Sequence, residues 1–314
     1  MNFQQLRFVR EAVRQNMNLT EVANVLYTSQ SGVSKQIKDL EDELGVDIFI
    51  RRGKRLTGLT EPGKEVHQLI ERMLLDAENL RRVARQFADQ DNGHLVVATT
   101  HTQARYVLPG PVTQLRRQFP QVNIGLHQGS PDQVAKMLID ETADVGLATE
   151  SLSQFEELVT LPAYEWQHVL VMRAEHPLAQ LERIDLEHLA AQPLVSYHPS
   201  FTGRTRIDRA FAQRQIKPNI VLEAIDSDVI KTYVRLGLGV GIVAEMAVRE
   251  DPPGGELVSR PLGHLLGQNV ARIAFKRGAY LRNYVYSFAE LLSDRLNRTL
   301  LQRAMSGEAS DYDL

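Results

Sequence analysis

The 314-residue sequence contains no cysteine. That excludes a disulfide framework, a thiolate metal site and a cysteine nucleophile, and it suits a reducing compartment such as the cytosol. No stretch approaches the roughly 18 uncharged apolar residues that a membrane-spanning helix needs. Met1–Arg14 scatters Arg7, Arg10, Glu11 and Arg14 among its apolar residues, so no signal-peptide core is expected. A cytoplasmic protein without a membrane partner is the expectation. Neither sign of charge dominates: the net charge is −3, with 14 Lys+Arg against 13 Asp+Glu in residues 1–90 and 22 against 26 in the remainder. Any nucleic-acid contact must then come from local placement of basic residues.

Enzyme signatures are missing as well. The nine histidines include no pair at the helical spacing of a zinc site. "RLGLGVGIV" carries Gly237, Gly239 and Gly241, which is not G-x-G-x-x-G, and it leads into a strand where a dinucleotide loop would open a helix. His127 and Ser130 are close in sequence, but no nucleophile elbow surrounds them. No catalytic residue, metal or cofactor is expected.

What is present starts at the N-terminus. Phe3–Gln15 reads as a helix with Leu6, Val9 and Val13 on one side. In "NLTEVANVL", Asn18 is a natural N-cap with Glu21 three positions on. A third helix starts near Ser29 and carries Val33, Ile37, Leu40 and Leu44 at steps of four, three and four. Two short helices joined by a tight turn form a helix-turn-helix, whose second helix enters the major groove. The polar face of that helix presents Thr28, Ser29, Gln30, Ser31, Ser34, Lys35 and Lys38. Hydroxyls allow close approach, Gln suits adenine, and Lys suits guanine or a phosphate. "FIRRGKRLTGLT" then reads as a two-stranded wing turning at Gly53, with Arg51, Arg52, Lys54 and Arg55 placed to neutralise phosphates.

Pro62 marks a helix start, and the helix is expected to stop at Asp91-Asn92-Gly93. Val66, Ile70, Met73, Ala77, Leu80, Ala84 and Phe87 alternate steps of four and three, a heptad seam. Such a seam on a helix between two domains predicts a dimer, which would place two reading helices about 34 Å apart or a multiple of that.

From Gly93 onward strands and helices alternate, as in a mainly parallel α/β sheet. Two series of units predict two lobes, crossed near Pro162–Trp166 and again near Leu262–Gln268, with one final helix from about Tyr280 to Ala304 and a polar tail. Ligands in such folds sit at strand carboxyl ends, between lobes. "ATTHTQAR" places Thr99, Thr100, Thr102 and Gln103 at a strand-to-helix junction, and "SFTGRT" does the same around Thr202, Gly203 and Arg204. Gln128, Gly129, Ser130 and Thr149 lie at other strand ends, and Trp166, the single tryptophan, at the expected crossing. Helix starts of this kind suit a small polar or anionic ligand; taken one at a time, each threonine is equally a plain N-cap.

The runs "FQQLRFV" and "TSQSGVSKQIKDLEDELGVDIFIRRGKRLTGLTEPG" resemble the LysR-type transcriptional regulators. "VATTHTQARYVLP", "HQGSPDQVAKML", "FTGR" and "DVIKTYVRLGLGVGIV" narrow the resemblance to the CysB subfamily, which includes the Cbl-type and related sulfonate regulators. The resemblance implies an α/β architecture of three parts. These are a winged helix-turn-helix over 1–61, a linker and dimerisation helix over 62–91, and a bilobed, periplasmic-binding-protein-like effector domain over 92–314. Lobe I covers about 92–162 and 266–314, and lobe II about 163–265. It implies a homotetramer, a dimer of dimers on double-stranded promoter DNA, controlling sulfur assimilation, cysteine biosynthesis or sulfonate utilisation. The implied effectors are sulfate, thiosulfate, N-acetylserine or O-acetylserine, held by Thr100, Thr102, Gln103, Thr149, Trp166 and Thr202. Departures are Gln30-Ser31-Gly32, where proline or alanine is frequent, and Ala163 and Glu165 beside Trp166. The competing readings are a solute-binding protein, or a regulator of an unrelated pathway with another small anion.

Overall fold

The structure, a computed structural model, describes residues 1–53, 55–88, 92–201, 203–249 and 254–308. The chain forms two compact units, Met1–Phe87 and Ala88–Leu314.

The first unit runs α1 (Phe3–Arg14), α2 (Leu19–Val25), α3 (Gln30–Leu44), β1 (Phe49–Arg52), β2 (Arg55–Leu59) and α4 (Glu61–Ala88). Asn2 and Gln5 form a reciprocal capping box at the start of α1. Asn18 accepts from the backbone N–H groups of Thr20 and Glu21 and starts α2. On α3 the apolar stripe buries Val33, Ile37 and Leu40 completely, whereas Leu44, its last member, is 40% exposed. Gly45 ends the helix at φ +70, a conformation that costs glycine little. β1 and β2 pair antiparallel around Gly53. Leu6, Val9, Val22, Val33 and Ile37 form one core with Ile70 and Leu74 of α4. The heptad seam therefore divides. Ile70 belongs to this core, while Met73, Leu80 and Phe87 are exposed along the same helix.

The second unit begins with β3 (Asn92–Thr99), α5 (His101–Tyr106), α6 (Pro109–Gln118), β4 (Gln121–Gln128), α7 (Pro131–Ile139) and β5 (Val145–Thr149). It continues with β6 (Leu158–Arg173), α8 (Leu186–Ala190), β7 (Pro193–Tyr197), α9 (Arg204–Gln213), β8 (Asn219–Ala224), α10 (Ser227–Arg235) and β9 (Val240–Ala244). β10 (Leu257–Pro261), α11 (Gly263–Leu266), β11 (Gln268–Lys276), α12 (Asn283–Leu292) and α13 (Arg298–Ser306) complete it. The strand order is β4-β3-β5-β11-β6-β9-β7-β8, with β10 also on β6. The βα units give parallel pairs, β3 with β4 and β5, and β7 with β8 and β9. β11 returns antiparallel into the first lobe.

One strand belongs to both lobes. β6 pairs with β11 from Leu158 to Gln167, then with β9 from His168 to Val171. The crossing expected near Pro162–Trp166 thus lies on a continuous 16-residue strand, which changes partner between Gln167 and His168. Pro162, which has no N–H for the ladder, is absorbed where the β11 register shifts between Ala271 and Arg272. The return passes through α11. The single final helix expected from Tyr280 is two helices. Ser293 adopts an extended backbone at the end of α12, its hydroxyl donates to the Ala163 carbonyl, and Asn297 caps the start of α13. The polar tail beyond residue 308 lies outside the described residues.

Candidate functional site

The DNA-reading face is built on α3. Its buried stripe fixes the helix, and Thr28, Ser29, Gln30, Ser31 and Lys35 are exposed opposite that stripe, with Ser34 half-buried. Ser29 is engaged as the N-cap, accepting from Gly32 N–H at 3.1 Å. Lys38 is exposed and pairs with Asp42 at 3.0 Å, and that hydrogen bond holds its pKa above the usual lysine value. In the wing, Arg52 and Arg55 are exposed. Arg51 stands apart. Its guanidinium donates to Glu41 at 2.7 Å, and Glu41 is buried, also accepting from the Ile48 and Phe49 N–H groups. Arg51 thus anchors the wing to α3. Lys54 lies outside the described residues.

In the second unit, Thr100, Thr102, Gln103 and Trp166 converge on one cavity of about 330 Å³. Lobe II closes it with Tyr197, Phe201, Ile225 and Ala244. β3 ends at Thr99, whose hydroxyl donates to the Leu147 carbonyl, and Thr100 then opens α5 without making a side-chain cap. Its hydroxyl is therefore not spent on the helix. Gln103 is buried and accepts from the Tyr164 hydroxyl. Trp166 is 2% exposed, and its Nε1 has no hydrogen-bond partner among the described residues. An indole N–H can only donate, so the cavity offers a buried donor in need of an acceptor.

The lobes are latched beside this cavity. The Tyr197 phenol oxygen lies 2.6 Å from the Ser227 hydroxyl and accepts from Ala244 N–H at 3.0 Å. Ser227 lies 3.5 Å from the Thr102 hydroxyl, and the Tyr106 hydroxyl donates to Asp228. Burial raises the pKa of Tyr164 and of Tyr197 above the ordinary phenol value, so both remain hydroxyls. No lysine, arginine, aspartate or glutamate is among the described residues lining the cavity. It can hold an oxyanion only through neutral donors.

Thr149 lines a neighbouring, wider chamber of about 970 Å³ with Ser151 and Asn269, facing Gly203, Arg206 and Arg209. Phe201 borders both spaces. Gln128 ends β4 exposed and lines neither of them. Thr202 lies outside the described residues. Tyr197, Phe201, Ser227 and Ala244 were not singled out by sequence, yet Tyr197 and Ala244 are strand carboxyl ends of lobe II. The rule that selected Thr99 and Thr149 in lobe I would have found them. Tertiary structure also brings donor atoms of His101, Asp226 and Asp228 within 4.8 Å of one another, a grouping invisible to sequence spacing. Asp226 caps α10 there, and Asp228 accepts from Tyr106.

A family model described as a bacterial regulatory helix-turn-helix protein of the lysR family matches residues 3–64, and one described as the LysR substrate binding domain matches residues 88–297. The chain belongs to the LysR family. LysR proteins of known name are similar along nearly its whole length. The HTH-type transcriptional regulator SsuR of Burkholderia cenocepacia is 62% identical over 297 residues, 95% of this chain and 96% of that one. The regulator CysB of the same organism is 54% identical over all of both chains. The crystal structure of the cofactor-binding domain of the Cbl transcriptional regulator superposes with a TM-score of 0.65 at 43% identity, covering 68% of this chain and 93% of that one. This LysR protein is a DNA-binding transcriptional regulator and not an enzyme. Among its described residues no helix is long and apolar enough to cross a membrane.

Proposed function

We propose that this regulator controls genes of sulfur assimilation, including cysteine biosynthesis or sulfonate utilisation, in the cytoplasm. Its signal is a small sulfur-status metabolite held between the lobes: sulfate, thiosulfate, N-acetylserine or O-acetylserine. The observation that carries this reading is the uncharged, donor-rich cavity around the unpartnered Trp166 Nε1. Neutral donors suit an anion that is fully ionised and needs no acceptor from the protein. Sulfate and thiosulfate meet that condition near neutral pH, whereas phosphate retains a proton that wants an acceptor. Thr100, Thr102, Gln103 and Trp166 are the proposed contacts, with Thr149 from the neighbouring chamber, Gln128 as an outer contact, and Thr202 as the family resemblance implies. The identities to SsuR and CysB support the sulfur assignment.

In this reading the chain divides at about residues 61 and 91 into reading domain, linker helix and effector domain, and it assembles as a dimer of dimers on promoter DNA. Ligand acts by binding one lobe arrangement more tightly than another, which is the only way a ligand shifts such an equilibrium. Calorimetric titration of the full chain with sulfate, thiosulfate and both acetylserines tests the reading. Saturable heat with at least one is expected; no heat with any of them rejects it.

A further inference from the structure

Trp166 and His168 stand two residues apart on β6, so their side chains leave the same face of the strand. Their rings meet edge to face, 5.0 Å between centroids and 64° between planes. His168 is fully buried at the point where β6 exchanges β11 for β9. Its backbone carbonyl accepts from Leu262 N–H, where the chain returns between lobes.

Three separate pieces of the cleft meet on this imidazole. The first is Trp166, which lines the smaller cavity. The second is Asn269 of β11, which lines the wider chamber and whose amide nitrogen lies 3.3 Å from His168 Nδ1. With that nitrogen donating, Nδ1 accepts and Nε2 carries the hydrogen. The third is Gly203, at the start of α9. It has φ +86, and a Cβ there would stand 2.1 Å from His168 Nε2. The imidazole thus underlies the chain beside Phe201, the residue shared by both spaces. Nε2 has no hydrogen-bond partner among the described residues. Burial, aided by the nearby Arg206 charge, holds the His168 pKa down at about 3, so the ring is neutral in use.

We infer that His168 is the positioning residue of the effector cleft, fixing the Trp166 indole on one side and Gly203, at the start of α9, on the other. It does not itself line either space. The inference rests on the reading of this cleft as the effector site, but its first readout does not need an effector. Trp166 is the single tryptophan, so fluorescence excited at wavelengths the nine tyrosines do not absorb reports this place alone.

In the ligand-free full chain, His168→Ala is expected to shift Trp166 emission and to raise its quenching by acrylamide several-fold. Unchanged emission and quenching overturn the inference whatever the effector is. Sodium thiosulfate and sodium sulfate are then titrated as probes. His168→Phe, which keeps ring bulk and loses both nitrogens, should melt close to the parent protein and yet bind the responding anion about tenfold more weakly, the scale of a misplaced contact. Full affinity in His168→Phe reduces the residue to packing and overturns the positioning role. If the parent protein binds neither anion while His168→Ala still moves the Trp166 signal, the anion reading has failed and the positioning of Trp166 stands. Should His168→Ala fail to fold, Gly203→Ala displaces the same contact from the opposite side, and it must move the same emission.

Discussion

Glu41 lies 2.7 Å from Arg51 across the junction of α3 and the wing, with its carboxylate sealed from solvent and two backbone N–H groups, of Ile48 and Phe49, donating to it. One carboxylate therefore fixes both the reading helix and the hairpin that follows. Glu41→Ala would leave two buried N–H donors and a partly buried guanidinium without their acceptor. Breaking such a buried pair costs about 3–5 kcal/mol. Chemical denaturation of the full chain should show the first unit unfolding at markedly lower denaturant, with Arg51→Ala shifting it the same way.

Arg52 has the opposite character. It is exposed on the wing, and its expected work is on phosphate. Arg52→Ala should weaken binding to specific and non-specific DNA alike, and flatten the plot of log affinity against log salt by about one. Electrophoretic mobility shifts over a salt series check this. An unchanged slope removes Arg52 from the interface.

Trp166→Phe keeps most of the cavity wall and deletes the indole N–H, a buried donor with no partner among the described residues. A hydrogen bond to a charged acceptor is worth roughly 1.5–3 kcal/mol, so the anion that binds the parent protein should bind about tenfold to a hundredfold more weakly. Operator affinity without effector should stay the same. Equal calorimetric affinities of parent and variant would show that the indole does not meet the ligand.

His168 predicts a particular response to acid. Its pKa falls from the ordinary 6.5 to about 3 on folding, so the unfolded chain holds the extra proton between those values. Stability from the neutral ring is complete above pH 6.5 and is lost as pH drops toward about 3, at up to about 1.4 kcal/mol per pH unit for one proton. Denaturant midpoints of His168→Gln should fall less steeply between pH 6.5 and 4 than those of the parent protein. Parallel curves would mean that the histidine stays accessible to protons.

On α4, Leu80 is 73% exposed and Phe87 75%. Such apolar residues repeating along a helix need a cover, and a second copy supplies the same stripe. Leu80→Asp should lower the oligomeric state in analytical ultracentrifugation while the ultraviolet circular dichroism of the chain is preserved. An unaltered sedimentation coefficient would place the assembly contact elsewhere.

Reading the sequence located the first unit well because its signals are local. Asn18 and Ser29 cap where caps are needed, and Val33, Ile37 and Leu40 announce the buried side of α3 by spacing alone. Thr100, Thr102 and Gln103 were legible at a strand-to-helix junction and Trp166 at the expected crossing, and all four line one cavity. That Arg51 pairs with Glu41 was not legible, because the partner is ten residues away and buried, and a basic run does not reveal which member is already bound. That a single strand, β6, carries the crossing was not legible, because its change of partner from β11 to β9 is a tertiary relation.

The sequence by itself determined the reading helix, the family and the polar character of the effector cleft, since each follows from side chains spaced along one helix, one turn or one strand end. Only the tertiary structure decided which lobe-II groups close that cleft, that Arg51 belongs to Glu41, and that His168 sits between Trp166, Asn269 and Gly203. Arg51 and Glu41 are ten positions apart, His168 and Asn269 a hundred and one, and Thr102 and Ser227 a hundred and twenty-five. Those relations exist because buried polar groups must find partners wherever the packed chain brings them, and chain order does not encode that distance.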